Sequence, residues 1–338
     1  MVLLWTMVYG LWTLLMERPS ALHLARWAAG IGAAFLLPLV LPNAYYLDVL
    51  TTALIFALLA LGLNIIVGLS GVLHLGYAAF YAIGAYTYGL LSVRCGVPFW
   101  LGLVPAALVA GLAGAALGAP ALRVRGDYLA IVTLGFGEIV RIAFNNLDQW
   151  TGGPNGLLGI AHPRVWLPGR GTLDFGVASA PYYYLTLAAV VLIAGGYVRL
   201  SRSRIGRAWL AIREDELAAG CSGIPVLPMK LLAQGCGGAV AGLAGAIFAS
   251  KQGTITPDSF DFVLSVMVLA MVVLGGLGST RGAIIGALLL GVMPELLRGF
   301  NQYRMLLFGL SMIIVIRLRP EGLFGGAPTR KAAHARAA

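Results

Sequence analysis

Residues that could carry bond-making chemistry are few and scattered in this chain. The four histidines lie at positions 23, 74, 162 and 334, and no serine–histidine–aspartate, cysteine–histidine or metal-ligand spacing includes them. The glycine-rich run 275–282 lacks the lysine with which a P-loop contacts nucleotide phosphates. We therefore predict that the chain is not an enzyme and has no catalytic residue, metal site or cofactor of its own. The run 275–282 is expected to form a tight turn between packed helices.

Two residues of opposite charge lie within one apolar run. Glu138 follows Asp127 by 11 residues, which at about 1.5 Å per residue places it about 16 Å along a helix, near the middle of a bilayer. Arg141 follows three residues later on the same helical face. Glu138 could pair with Arg141, or it could face a transport path and meet an ammonium group. The sequence leaves both interpretations open.

Residues 199–228 form the most strongly charged segment. Five arginines between Arg199 and Arg213 precede three consecutive acids, Glu214 to Glu216. An apolar face recurs at roughly helical spacing and comprises Ile205, Ala208, Trp209, Ile212 and Leu217. We expect Gly223 and Pro225 to end this helix. Such a helix either lies on the membrane surface or docks into a groove of a cytoplasmic partner.

The composition places almost the whole chain in a membrane. Of its 338 residues, 59% are hydrophobic and only 11% are charged, whereas soluble domains carry about 25% charged residues. The net charge of +10 does not indicate a nucleic-acid partner, because the basic residues flank apolar runs. Their distribution follows the positive-inside rule when residues 199–228 are placed in the cytoplasm.

Apolar runs and their breaks predict an all-α, polytopic membrane protein with about ten transmembrane helices. Both ends of this core are predicted to be cytoplasmic, and the loop 147–180 is predicted to be external. The membrane domain is assigned to 27–326, preceded by an apolar or interfacial segment 1–26 and followed by a cytoplasmic tail 327–338. The sequence does not decide whether residues 1–16 span the membrane. The ten predicted spans are 27–41, 47–68, 72–92, 99–122, 127–146, 181–198, 229–250, 259–277, 283–299 and 304–318.

Several segments resemble one family of transport proteins, over about residues 45–325. The family is that of LivM-type permease subunits of ATP-binding-cassette (ABC) importers for branched-chain amino acids. The pattern Ala218-Ala219-x-x-x-Gly223 is similar to the core of the importers' ATPase-docking motif, although Leu217 separates the alanines from the preceding acid. The segments that carry the resemblance are 62–71, 74–76, 80–86, 125–138, 151–156, 203–216 and 319–325.

The resemblance implies a translocation subunit of the bacterial cytoplasmic (inner) membrane that moves branched-chain amino acids inward by alternating access. It implies a second homologous permease subunit, two ATPase subunits that bind ATP and Mg, and an external solute-binding protein. The residues expected to couple the chain to the ATPases are Arg204, Ile205, Gly206, Arg207, Trp209, Arg213, Glu214, Asp215, Glu216, Ala218, Ala219 and Gly223.

Two further groups of residues are site candidates. A substrate path is expected along Gly68, Ser70, Gly71, His74, Tyr77, Tyr81, Thr133, Glu138, Gly275 and Gly276. Helix packing and inter-helix turns are alternative roles for these tyrosines and glycines. A contact with the solute-binding protein is expected at Thr151, Gly152, Gly153, Pro154, Asn155 and Gly156, for which a lid packed on the helices is the alternative.

Three rival functions remain open at this point. A urea or short-chain amide permease of the same family would have nearly the same sequence features. A stand-alone secondary transporter would use ionisable residues at the membrane midplane and would need no docking helix. A membrane scaffold without transport activity is the third alternative.

Overall fold

The computed structural model describes residues 43–121, 127–167, 171–176 and 179–296, together with single residues at 35, 38, 309, 313, 317, 322 and 323. Apart from those single residues, the predicted spans 27–41 and 304–318 lie outside the described residues. The segment 1–26 and the tail 327–338 lie wholly outside them.

Helices dominate the described residues. A π-helix, Asn64–Leu69, continues the first α-helix, and short 3₁₀ helices cover Gly153–Asn155 and Pro257–Phe260. The α-helices in chain order are α1 (Ala44–Leu63), α2 (Tyr77–Cys95), α3 (Phe99–Ala121), α4 (Asp127–Asn146), α5 (Asp148–Thr151), α6 (Ser179–Ser201), α7 (Arg204–Glu214), α8 (Glu216–Cys221), α9 (Val226–Gln252), α10 (Phe262–Gly275) and α11 (Thr280–Leu296).

Six helices among the described residues are long and apolar enough to cross a membrane, which confirms a polytopic architecture at that level. The predicted spans 72–92 and 283–299 correspond to α2 and α11, which are not among the six. The total of ten spans and the cytoplasmic placement of the ends stay predictions. The six candidate spans are Ala44–Leu69, Phe99–Gly118, Tyr128–Asn146, Ala180–Ser201, Val226–Gln252 and Pro257–Gly275.

Two small antiparallel sheets were missed by the all-α prediction. Strand β1 (Leu157–Leu158) pairs with β4 (Thr254–Ile255), and β2 (Arg164–Leu167) pairs with β3 (Gly171–Asp174). Apolar-run analysis did not register them because each strand has only two to four residues. All four strands lie in the loop 147–176 or in the connection between α9 and α10.

The two ends of the bundle are separated by whole helices. The 23-residue α6 connects the loop 147–176 to α7, so these parts lie about 34 Å apart at 1.5 Å per residue. We call the end that carries α7 and α8 the coupling end, and the end that carries 147–176 the loop end. If α7 is cytoplasmic, as the charges predict, the loop 147–176 is external.

Helix α9 lies at the centre of the bundle and packs against α2 and α3 through small residues. A Cβ added to Gly84 of α2 would lie 2.3 Å from Gly242 Cα, and one added to Gly238 would lie 2.7 Å from the Ala110 carbonyl oxygen of α3. Lipid offers no hydrophobic drive for helices to associate, so close backbone approach and dispersion contacts hold them together. These glycines are therefore packing residues.

An ion pair joins α1 and α9 at the loop end. Lys251 Nζ lies 2.8 Å from Asp48 Oδ1 and donates to Thr52 Oγ1 over 2.9 Å. The Lys251 side chain is 8% exposed, so removal of Asp48 would leave a buried ammonium group without its ion-pair partner. This contact fixes the loop ends of α1 and α9 to each other.

The backbone departs from regular helix between α1 and α2. After the π-helix, residues 71–76 run without helical structure, and α2 begins only at Tyr77, so the predicted start of this span at 72 is wrong. Unpaired backbone at membrane depth is tolerated only inside protein or along a water-filled cavity. Here the Leu75 N–H donates to Thr133 Oγ1 over 3.0 Å, and the Val72 N–H to the Ile66 carbonyl over 3.2 Å.

The α2–α9 contact yields a stability prediction. Gly84→Ala should lower the thermal unfolding midpoint of the purified protein, because over-packing of a close backbone contact costs about 1–3 kcal/mol. Gly195→Ala on α6 is the matched control, since a Cβ there meets nothing within 4 Å. Equal midpoints for the two variants in a detergent thermal-shift assay would contradict the central role of this contact.

Candidate functional site

Helix α7 is anchored to the bundle by one tryptophan. Its N-cap is Ser203, whose side chain accepts the Gly206 N–H over 3.2 Å. Trp209 is fully buried, and its Nε1 donates to the Met229 carbonyl over 2.7 Å. The buried indole satisfies its polar atom while it fixes α7 against the start of α9.

The charged segment forms two helices where the sequence predicted one. Asp215 breaks the helix with extended backbone and caps α8, accepting the Leu217 and Ala218 N–H groups at 2.9 and 3.0 Å. The predicted apolar face is wrong at Leu217, which is 70% exposed. The turn at Asp215 rotates Leu217 away from the face that buries Trp209.

The predicted coupling residues divide into an outer and an inner group. Gly206, Trp209 and Ala219 are buried, Ile205 is half-buried, and Glu216 forms a 2.6 Å ion pair with Lys230. Leu210 and Leu217, which were not among the predicted coupling residues, are exposed on the outer side. The exposed residues of the predicted set are Arg204, Arg207, Arg213, Glu214, Asp215, Glu216, Ala218 and Gly223.

Arg213 differs from the other exposed residues because its guanidinium turns into the bundle. Its Nη1 donates to the carbonyl oxygen of Gly68, at the end of the π-helix. Its stem packs on Gly71, where an added Cβ would lie 3.0 Å from Arg213 Cγ. Gly68 and Gly71, predicted as path residues, therefore contact the coupling segment.

A small cavity lies where the starts of α2 and α10 face α4. Its volume of about 10 Å³ is the space of roughly one water molecule. Among the predicted path residues, only Glu138 lines it. The lining residues are Leu75, Ala78, Leu134, Gly137, Glu138, Phe260, Asp261, Phe262 and Ser265.

Glu138 takes part in an ion cluster beside this cavity. Glu138 Oε2 accepts from Arg141 Nε over 3.0 Å, and Arg141 Nη1 lies 3.1 Å from Asp258 Oδ1. The side chains of Glu138 and Arg141 are about one-third exposed, and that of Asp258 is 81% exposed. The structure thus places Glu138 both in the ion pair and on the cavity wall, so the two sequence interpretations do not exclude each other.

The remaining predicted path residues are packed in the core. Tyr77 donates to the Gly237 carbonyl over 2.9 Å, and Tyr81 contacts the rings of Phe248 and Phe260. Ser70 donates to the Ile66 carbonyl over 2.7 Å, whereas the buried His74 Nδ1 has no partner among the described residues.

The predicted turn residues and Thr133 also have structural contacts. A Cβ on Gly275 would lie 2.0 Å from the Gly282 carbonyl oxygen, and Gly276 caps α10 with a φ of 112°. Thr133 holds the segment 71–76 through the Leu75 N–H. The expected tight turn therefore lies between α10 and α11.

The glycine-rich motif 151–156 folds onto the loop end of the bundle. Thr151 and Gly153 are buried, and the Thr151 hydroxyl lies 2.9 Å from the Leu147 carbonyl. Gly156 is buried where a Cβ would lie 2.1 Å from the Ile255 carbonyl oxygen, and Gly152 is half-buried. Pro154 and Asn155 are the exposed residues of the motif, and Trp150 and Leu158 are exposed beside it.

Sequence reasoning missed part of the cavity. Asp261 was not singled out, although its spacing to Leu264, whose N–H it accepts over 2.9 Å, is that of a helix N-cap. Ser265, which accepts the Ala78 N–H over 2.9 Å, carried no comparable signal. Contacts between residues that lie 187 positions apart are fixed by tertiary packing.

Comparison with known proteins matches residues 45–316 to the family described as "Branched-chain amino acid transport system / permease component". The permease protein LivM of Salmonella typhimurium is 47% identical over 293 residues, which cover 82% of this chain and 69% of the relative. LivM of Escherichia coli gives the same identity and coverage.

More distant relatives carry similar names. The permease protein BraD of Pseudomonas aeruginosa is 26% identical over 313 residues, covering 83% of this chain and 95% of BraD. LivH of Escherichia coli is 25% identical over 293 residues, covering 82% of this chain and 93% of LivH. No solved structure matches this chain.

The break at Asp215 gives a local prediction. Asp215→Ala should destabilise α8 by about 1 kcal/mol, because a helix N-cap is lost, and amide hydrogen exchange in 216–221 should become faster. Asp215→Asn is the matched control, since asparagine also caps helices. Equal exchange rates in the two variants would show that the cap does not hold α8.

Proposed function

Because the chain belongs to the family of branched-chain amino acid transport permeases, we propose that it is the translocation subunit of an ABC importer for these amino acids. It moves leucine, isoleucine or valine inward across the bacterial cytoplasmic membrane and leaves ATP hydrolysis to separate subunits. The observation that carries this proposal is the 47% identity to LivM over 82% of the chain.

The outer face of α7 and α8 is the proposed contact with the ATPase subunits. It combines charged residues such as Arg204, Arg207 and Glu214 with the exposed leucines Leu210 and Leu217. Arginine is one of the residue types enriched among binding hot spots, and the exposed leucines add apolar contact area to this surface. Trp209 holds this surface in place from beneath.

The second permease subunit is proposed to pack against α4. Only 11% of the apolar stretch of α4 is buried, compared with 89% for α1, so α4 lies at the edge of the bundle. Glu138, whose side chain is about one-third exposed, lies beside the exposed face of this helix, on the wall of the cavity. The exposed apolar residues are Tyr128, Ile131, Val132, Ile139 and Ile142.

The cavity beside Glu138 is too small for an amino acid in this conformation. A path can open there only if α4 separates from the starts of α2 and α10, which is the kind of helix movement that alternating access requires. The carboxylate of Glu138 would then meet the ammonium group of the substrate.

The exposed part of the loop end is proposed to receive the solute-binding protein. Pro154 and Asn155 stand out from the motif 151–156, and Trp150 and Leu158 are exposed next to them. Arg94 stabilises this region, since its guanidinium lies 4.7 Å from the centre of the Trp150 ring. The remaining motif residues act as the scaffold.

The first experiment identifies the partners and the cargo together. The chain is purified by an affinity tag from native membranes, and the complex is reconstituted into vesicles with radiolabelled leucine or urea. The proposal predicts co-purifying ATPase and permease subunits and ATP-dependent leucine uptake. Urea uptake would favour the related permease class, and uptake by the chain alone on an ion gradient would favour a secondary transporter.

Glu138→Gln tests the role of the cavity carboxylate. The amide can still accept from Arg141 but lacks the charge that binds an ammonium group, so leucine uptake should fall about tenfold, the value of one charge-assisted hydrogen bond. The thermal unfolding midpoint should change little.

Asp258→Asn is the control for this prediction. It weakens the same ion cluster at an exposed position (81% exposed) that does not line the cavity. If Asp258→Asn and Glu138→Gln reduce uptake equally, the cluster acts as a structural unit and Glu138 has no separate role toward substrate.

A further inference from the structure

Three segments meet around one side chain at the coupling end. They are the end of α7, the end of the π-helix and the turn between α10 and α11. Arg213 Nη1 donates to the Gly68 carbonyl oxygen. A Cβ on Gly278, in the turn, would lie 3.1 Å from Arg213 Nη1 and 3.2 Å from the same carbonyl oxygen. The guanidinium therefore fills the space between the π-helix and the turn.

Asn64 ties the same turn to the other end of the π-helix. Its Oδ1 accepts the Gly278 N–H over 2.8 Å, and its Nδ2 donates to the Ser279 carbonyl over 3.2 Å. Asn64 is fully buried. A Cβ on Gly68 would lie 2.0 Å from Asn64 Oδ1, so glycine at 68 gives the amide room to reach the turn. The π-helix and the turn are thus joined at both ends.

Apolar packing places α7 directly against the π-helix. Ile65 and Leu69 of the π-helix form one buried cluster with Trp209 of α7. Packed side chains of this kind transmit displacement because protein interiors have low compressibility. A shift of α7 therefore acts on the π-helix through Trp209 and on its terminal carbonyl through Arg213.

The π-helix is the element in this junction that can change. Single-turn π segments are rare and occur often at functional sites. The segment 71–76 that follows it leads to Leu75, which lines the cavity beside Glu138. The junction thus connects α7 to the cavity wall along a continuous stretch of chain.

Resting on the proposed function, we propose that Arg213 is the positioning residue that converts movement of α7 into movement of the π-helix and the α10–α11 turn. The sequence prediction placed Arg213 with the residues that touch the ATPase. Its contacts give it a different role: the other exposed residues of α7 and α8 receive the force, and Arg213 passes it into the membrane core.

Arg213→Lys separates these two roles. Lysine keeps the positive charge that an ATPase surface would recognise. It lacks the planar guanidinium group with several N–H donors, and its side chain is shorter than that of arginine. In the reconstituted complex, ATP hydrolysis should continue while the number of leucine molecules transported per ATP falls about tenfold, as expected for loss of one charge-assisted hydrogen bond. Arg202→Lys, the same change on the exposed residue just before α7, should leave this ratio unchanged.

A double-mutant cycle tests whether Arg213 and Asn64 act in one unit. Asn64→Ala should also lower leucine transport per ATP, and the double variant should be no worse than the more impaired single variant, because coupled residues are not additive. If the fold-losses in leucine transport per ATP of the two single variants multiply in the double variant, Arg213 and Asn64 act independently.

Two results would overturn the proposal. One is a leucine-to-ATP ratio for Arg213→Lys equal to that of Arg202→Lys. The other is dissociation of the ATPases from the Arg213→Lys complex, which would return Arg213 to the docking surface. Absence of leucine uptake by the wild-type complex would instead refute the proposed function, so the two failures are distinguishable.

Discussion

Close backbone approach between α9 and its neighbours is the constraint on which the bundle depends. Lipid is as apolar as the helix surfaces, so burial alone does not hold these helices together. Glycine at positions such as 84, 238 and 242 lets backbones meet at distances that any side chain would prevent. This need accounts for part of the high glycine content, 46 residues, while other glycines adopt positive φ in turns, as at Gly152 and Gly253.

With α9 fixed at the centre, the irregular backbone between α1 and α2 becomes possible. The segment 71–76 takes its hydrogen bonds from Thr133 and from the π-helix, and Asn64 satisfies the turn at Gly278. Burying any of these backbone N–H groups in lipid without its hydrogen-bond acceptor would cost free energy. Some of the buried polar residues, Asn64, Ser70 and His74 among them, therefore lie where helices are interrupted, close to the cavity or to the coupling end.

The sequence predicted the parts of the fold that depend on composition. The eight predicted spans within the described ranges correspond to helices. An apolar run of about 20 residues that crosses a membrane forms a helix because a helix satisfies all of its own backbone hydrogen bonds. The family was also recognisable from short motifs. The break at Asp215 was missed, although an acid before Leu217 and Ala218 is a recognisable N-cap. Arg213, Asn64 and Ser265 needed the structure, because their partners lie far away in the chain.

The pairing of β1 with β4 connects the loop end to the segment that precedes α10. Leu157 is in register with Ile255, only three residues before Asp258 and six before Asp261. A displacement of the motif 151–156 would therefore act through this short ribbon on Phe260 and Asp261, which follow β4 and line the cavity. The loop end and the cavity wall are thus connected through a few residues of main chain, a shorter route than the long helices.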